Sequence, residues 1–404
     1  MYDLLCNYIC ISDGVFPPDY NKYECPDYQG RPAHLYLELG ILDIDRIDEG
    51  RMEFSLQTYI KERWTDGRLN LSAFSGERGR AFPQTLVQDL WVPDLVFDNA
   101  KSGVLFGLTL PNTHVKVEKD GRLGRTSRYN MVISCQMNFL YYPMDTQSCF
   151  IKMCLLSNPD FKVTLHWFGE EDSKKKKSSQ PIRFMNDIQA LKYRLETPKP
   201  HKTQEQWSSG NYTYLYANFT FVRLISGSLL NVYLPSTLIV CFSWLSFWLE
   251  VTAVPARVTL GATSLLTLVT QMVQARQGLP PISYMTAMDI WLFACLLTVF
   301  GSLLAFAFTY HIHIMQKKNA THTTSCQCSK SAPTESTCDL IVRRTLRPAT
   351  SNQIATKNYN VETTAKTSWE QLRVIPLDKY FRIAFPLTFT TFAIIYWSFY
   401  LSCT

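Results

Sequence analysis

Five residues spaced at three and four positions carry the clearest chemistry in this sequence. Thr259, Thr263, Leu266, Thr270 and Val273 fall on one stripe of a helix running over residues 255–277. Hydroxyls gain nothing against lipid, but against a watery lumen they can meet a partly dehydrated ion. The alternative is a membrane helix whose threonines bond back to their own carbonyls. Residues 256–276 would rise about 31 Å, enough to cross a bilayer. Arg257 and Arg276 stand at the two ends. We read this stretch as the lining of an ion pore, with Pro255, Ala256, Arg257, Thr259, Thr263, Leu266, Thr270 and Val273 facing the lumen.

The other reactive side chains point nowhere as definite. No catalytic constellation stands out, so no enzyme is expected, and no cofactor or metal. His34, His114, His166 and His201 titrate in a range useful for proton or metal control, although each also reads as an ordinary surface histidine. His311 and His313 with Cys326 and Cys328 have metal-capable side chains but sit in a polar segment without other structural signals. The charged run from Glu170 to Lys177 reads as a solvated loop tip.

The elements that must position these residues divide the chain in two. Of the 404 residues, 1–224 are mixed and rich in aromatics, whereas 225–310 and 384–401 are dominated by apolar runs. Alternating apolar and polar residues over 33–47, 52–61 and 128–136 read as half-buried strands, with more at 150–155, 161–168, 183–195 and 212–224. Turn signals such as Asp66-Gly67 and Asp120-Gly121 separate them. The expected fold class is an α+β membrane protein: an N-terminal antiparallel β-sandwich followed by a four-helix transmembrane bundle. The spans are 229–249, the pore helix 256–276, 288–310 and 383–401. Between the last two lies a polar stretch, 311–380, with ten Lys or Arg against five Asp or Glu. That excess marks a cytoplasmic side and puts both termini outside. The domains are thus 1–224, extracellular; 225–310, the first three spans; 311–380, a cytoplasmic loop; and 381–404, the last span with a short outer tail. The net charge of +6 is spread out and implies no nucleic acid. Met1–Gly14 is by itself a poor export signal, lacking a basic segment. Asn70, Asn211 and Asn218 open glycosylation sequons, and Cys6, Cys10, Cys25 and Cys154 lie where disulfides are allowed if this half is exported.

Cys135 and Cys149 have thirteen residues between them, including Tyr142-Pro143-Met144-Asp145. They are either a bridged loop or two unrelated cysteines in a β-rich domain. This segment resembles the signature loop of the Cys-loop receptors, the pentameric ligand-gated ion channels. The resemblance spans nearly the whole chain: Trp64, Trp91-Val92-Pro93-Asp94, Arg223, Tyr233-Leu234-Pro235-Ser236, Pro255-Ala256-Arg257, Leu279-Pro280-Pro281 and Tyr396-Trp397. It implies a Cys135–Cys149 disulfide, worth about 3 kcal/mol in the chain-entropy model. It also implies a homo- or hetero-pentamer of related subunits in the plasma membrane, with a small-molecule agonist at the subunit interfaces. Phe97, Leu156, Ser157, Asn158, Trp207 and Tyr212 match ligand-contacting positions on one face, and Tyr59, Lys61, Thr126 and Arg128 on the other. The second loop lacks its usual aromatic, which weakens an amine cage; Lys61 and Arg128 could instead hold a carboxylate. Asp48, Glu49, Asp145 and Arg223 match positions that couple to the 277–284 linker.

The pore resembles the anion-selective branch, in a divergent, invertebrate-type form. A physical argument agrees. Five positive helix ends would meet at the inner mouth beside Pro255 and Ala256, with no carboxylate nearer than Glu250. Chloride is the expected ion, and Leu266 the hydrophobic gate. A pH- or metal-controlled chloride channel and a non-conducting accessory subunit are the alternatives.

Overall fold

The computed structural model describes residues 14–26, 30–71, 80–170, 180–188, 191–327 and 377–402. Cys6, Cys10, Cys328, Cys338, Ser72 of the first sequon and the charged run after Glu170 lie outside the described residues, as does the side chain of Cys326. The chain divides into two compact units. One holds residues 1–229, 275–288 and 400–404; the other holds 230–274 and 289–399.

The first unit is a sandwich of two sheets. In chain order its strands are β1 (Ala33–Asp48), β2 (Glu53–Trp64), β3 (Arg80–Ala81), β4 (Leu95–Phe97), β5 (Ala100–Leu105), β6 (Thr113–Val117), β7 (Leu123–Ser134), β8 (Thr146–Leu155), β9 (Val163–Trp167), β10 (Ile182–Phe184), β11 (Tyr193–Leu195), β12 (Lys199–Trp207) and β13 (Gly210–Arg223). The larger sheet runs β10-β1-β2-β7-β6-β3, with β5 also on β7 and β9 on β1; the smaller runs β11-β13-β8-β4, with β12 on β13. Strict alternation explains the layering. Along β2, Phe54, Leu56 and Ile60 turn inward while Gln57, Tyr59 and Lys61 turn outward. Phe54 meets Phe219 and Phe221 of the opposite sheet at ring-centroid distances of 5.7 and 5.6 Å.

Three details differ from the sequence reading. The sheet is not wholly antiparallel, because β9 and β10 add to β1 in parallel; a 16-residue strand has edge to spare for two short partners. The expected strand over 183–195 is two strands in different sheets. β12 has no alternating apolar pattern because it is a mostly exposed edge strand, so periodicity could not find it.

The second unit is helical. We label α1 Ser226–Trp248, α2 Val254–Arg276, α3 Ala287–Gln327 and α4 Leu377–Ser402. All four contain windows long and apolar enough to cross a membrane. α3 continues well past the expected end at residue 310, since no proline or glycine stops it before Gln327. Packing is aromatic and polar together. Tyr233 and Tyr396 share a hydroxyl hydrogen bond of 2.8 Å, and Trp291 Nε1 donates to Ser236 Oγ at 3.0 Å. Tyr396 thus faces the bundle interior, where its hydroxyl has a buried partner. Gly261 of α2 lies so close to α3 that an added Cβ would fall 2.1 Å from Leu303 Cδ2.

Candidate functional site

β2 and β7 pair antiparallel, which sets Tyr59 opposite Arg128 and Lys61 opposite Thr126. The next strand places His114 beside Thr126. Tyr59, Lys61, Thr126 and His114 line an outward cavity of about 520 Å³, together with Glu38 and Arg183. Its charges are tightly organised. Lys61 Nζ lies 3.1 Å from Glu118 Oε1, which also accepts from Arg63 Nε at 3.0 Å. Arg63 Nη2 in turn donates to Glu38 at 3.0 Å. Burial, then Arg63, pull the Lys61 ammonium below the usual lysine range, against Glu118. Burial would raise Glu118, but Arg63 and Lys61 outweigh it and hold that carboxyl low. Arg128 differs: it donates to the neutral Gln57 amide at 2.7 Å, lies over the Phe106 ring, and leaves its buried Nε without a partner.

The other ligand-matching residues lie on or beside the opposite sheet, so one chain does not bring the two sets together. Ser157 and Asn158 follow β8 and are held by Asp94: Ser157 N donates at 2.7 Å and Asn158 Nδ2 at 3.1 Å. Leu156 is exposed beside them. Phe97 packs edge-on against Tyr129. Trp207 is exposed at the β12–β13 turn, its Nε1 donating to Tyr214 at 3.1 Å, and Tyr212 shares a hydrogen bond with Ser209. Sequence reading missed Lys152, which reaches Asp98 at 3.0 Å and Glu205 at 3.2 Å and lies over the Tyr214 ring. A lysine on a strand face carries no signal of partners so distant in sequence. Burial, first, pushes the neighbouring Cys154 thiol up to about 11, so it is a poor nucleophile.

Arg223, at the end of β13, binds Asp145 through Nε at 2.6 Å and Glu49 through Nη1 at 2.7 Å, between the Tyr142 and Tyr193 rings. Burial opposes its charge, but the bonds to Asp145 outweigh that and raise it. Tyr193, another residue the sequence did not mark, donates to Glu49 at 2.8 Å. Asp48 stays out of this cluster: it accepts from Arg46 and from the Arg51 backbone in the β1–β2 turn. Cys135 and Cys149 are joined by a disulfide. The loop they close meets the linker, with Phe139 N donating to Tyr284 Oη and Ala287 N to the Leu140 carbonyl, each at 3.0 Å.

On α2 the packed stripe is Arg257, Gly261, Ser264 and Leu268. Pro255, Ala256, Thr259, Thr263, Leu266, Thr270 and Val273 are exposed. Arg257 therefore corrects the sequence reading: it does not share the threonine face. It is 1% exposed and turned inward, donating to the Leu249 carbonyl and to Asp378 of α4 at 2.9 Å. Two residues before Thr259 is about 200° around a helix, which puts the two on opposite sides. The threonines are exposed and back-bonded at once: Thr259 donates to the Pro255 carbonyl at 2.6 Å, Thr263 to Thr259 at 2.8 Å and Thr270 to Thr267 at 2.8 Å.

Asn70 and Asn211 are exposed, and Asn218 is half-buried between β8 and β12. His34 Nδ1 meets His166 Nε2 at 3.2 Å, and Lys202 Nζ meets His166 Nδ1 at 3.1 Å. No group of three or more His, Cys, Asp or Glu able to hold a metal occurs among the described residues.

Comparison with known proteins gives a consistent result. The family description "neurotransmitter-gated ion-channel ligand binding domain" matches residues 12–225, and "neurotransmitter-gated ion-channel transmembrane region" matches 232–371. The chain is 31% identical to the gamma-aminobutyric acid receptor subunit pi of Bos taurus over 74% of its own length and 65% of that protein's, just under two thirds. It is 29% identical to the glutamate-gated chloride channel of Drosophila melanogaster over 92% of its length and 85% of that protein's. With the gamma-aminobutyric acid receptor subunit rho-1 of Rattus norvegicus it shares 28% identity over 92% and 81%.

Proposed function

The chain belongs to the neurotransmitter-gated ion-channel family, and from that premise we propose that it is a subunit of a pentameric chloride channel in the plasma membrane. A small agonist with a carboxylate opens it at the interface between subunits. The observation that carries the pore assignment is the α2 surface: an apolar and hydroxyl face from Pro255 to Val273, without a carboxylate, opposite a packed face. A single chain leaves that face uncovered. A ring of copies encloses it, with Leu266 closing the pore by dewetting.

The agonist lies between Tyr59, Lys61, Thr126 and Arg128 of one subunit and Phe97, Ser157, Trp207 and Tyr212 of the next. Support comes from their placement on or beside opposite sheets and from the charge set around Lys61 and Arg128. The Arg223–Asp145–Glu49 cluster passes the movement to the 277–284 linker. Residues 1–224 form the outer domain, 225–310 the first three spans, 311–380 the cytoplasmic segment, and 381–404 the last span and tail. Asn70, Asn211 and Asn218 are the candidate glycan sites.

Voltage-clamp recording of the chain expressed alone tests this reading. Under glycine, γ-aminobutyrate or glutamate, we expect a current whose reversal potential follows the chloride gradient. A current that ignores chloride rejects the anion pore. The contact of His166 with His34 and Lys202 favours a second reading, control by protons; a current evoked by an external pH step with no transmitter present would select it.

A further inference from the structure

Lys61 of the cavity lining is already paired with a carboxylate of the same chain, and we infer that this internal anion, Glu118, competes with an agonist's carboxylate for Lys61. The inference rests on the assignment of that cavity to the agonist and goes a step past it: the selectivity of the site is set by a residue that need not touch the ligand.

Glu118 follows β6, in the turn to β7, and its backbone N–H donates to the Arg122 carbonyl at 2.7 Å. From there its side chain reaches over Gly124, where an added Cβ would come within 3.3 Å of Oε1. Any other residue at 124 would crowd the carboxylate, so the glycine leaves room for this reach. Oε1 then bridges Lys61 and Arg63. Arg63 does not depend on it, because Glu38 supplies a second partner. Lys61 has no other carboxylate within salt-bridge distance among the described residues. Both Lys61 and Glu118 keep about a fifth of their side chains exposed, at 22% and 21%, so the pair is within reach of the cavity yet partly shielded. Partial shielding strengthens the pair relative to a surface one.

A ligand carboxylate drawn to Lys61 must therefore displace Glu118 or face it. Arg128 carries no such obligation, since its partner is a neutral amide. The residues assigned to the agonist thus include one cation without a carboxylate partner, Arg128, and one already paired, Lys61. Glu118 lowers the affinity for every carboxylate agonist and leaves uncharged groups largely unaffected. Potency for amino acids is held down in the resting site by an anion the protein supplies itself.

The variant Glu118→Gln keeps the side-chain length and removes the charge. Concentration–response curves of the chloride current would be recorded for glycine, γ-aminobutyrate and glutamate, and for amines without a carboxylate, with surface labelling of each variant. For carboxylate agonists we expect the half-maximal concentration to fall about fivefold, the scale of one part-shielded pair. The reversal potential stays fixed, and amine responses, where present, do not shift. In a Lys61→Gln background the Glu118→Gln change has no effect. Glu118→Asp, one methylene shorter, gives a smaller shift in the same direction and serves if the first variant fails to reach the surface. Unchanged potency in both variants overturns the proposal while leaving the agonist site standing. So does an equal shift in the Lys61→Gln background. A channel that no amino acid opens, but that amines or protons do, rejects the carboxylate site, and this inference falls with it.

Discussion

His166 shows how much a single side chain owes to its surroundings. Burial first, then the Lys202 ammonium, lowers its pKa from the usual histidine value, so folding disfavours its protonated form. Tyr36 stacks on its ring, His34 faces Nε2, and Lys202 and Glu170 face Nδ1. The unfolded chain takes up the proton more readily, so folding stability is full above about pH 6.5 and is lost as the pH falls from there toward the lower folded value. Thermal unfolding of the purified full chain between pH 8 and 5 should show a melting temperature dropping by a few degrees below that point. In His166→Gln the drop should shrink; an equal drop in the variant would assign the dependence to other groups. The sequence named His166 as titratable but gave no means of pairing it with His34, 132 residues away.

At the scale of the element, α2 carries two opposite faces with different duties. Period 3.6 predicted one of them, the threonine stripe. The structure adds that each hydroxyl hydrogen on that stripe is already given to a carbonyl one turn back. Such hydroxyls present lone pairs outward, so the threonines by themselves are poor anion donors. In the proposed pore the anion preference is therefore assigned to the positive helix ends. On the packed face, Gly261 sets how closely α2 approaches Leu303 of α3. Gly261→Ala should force Leu303 off its rotamer and destabilise the bundle by about 1–3 kcal/mol. Unfolding in detergent would measure this, and Leu303→Ala in the same chain should recover most of the loss. If Gly261→Ala were neutral by itself, the close approach would not be a constraint on packing.

For the whole molecule, the reading that matters is an assembly of copies around a shared axis. Pro255 and Ala256 are exposed at the α2 N-terminus, where such an assembly narrows in the proposed arrangement. Replacing the two with a single glutamate should ring that mouth with negative charge and move the reversal potential toward cations. A reversal potential still tracking chloride would place selectivity elsewhere along the pore. Arg257 is not available for that task, being buried against Asp378. A positive charge at a helix N-terminus opposes the dipole, so the carboxylate of Asp378 offsets what that position costs.

The sequence alone determined the sandwich strands with alternating faces, the four apolar spans and the motifs that mark the family, because those signals are local or fixed in spacing. It also determined the threonine stripe, since one helix suffices to define a face. Only the tertiary structure decided which way Arg257 turns and that Asp48 stands apart from Arg223. It alone revealed that Glu118 occupies Lys61 and Lys152 ties Asp98 to Glu205. Those pairings join residues up to 121 positions apart. Their partners are set by how strands and helices pack, and no periodicity in a linear chain encodes that.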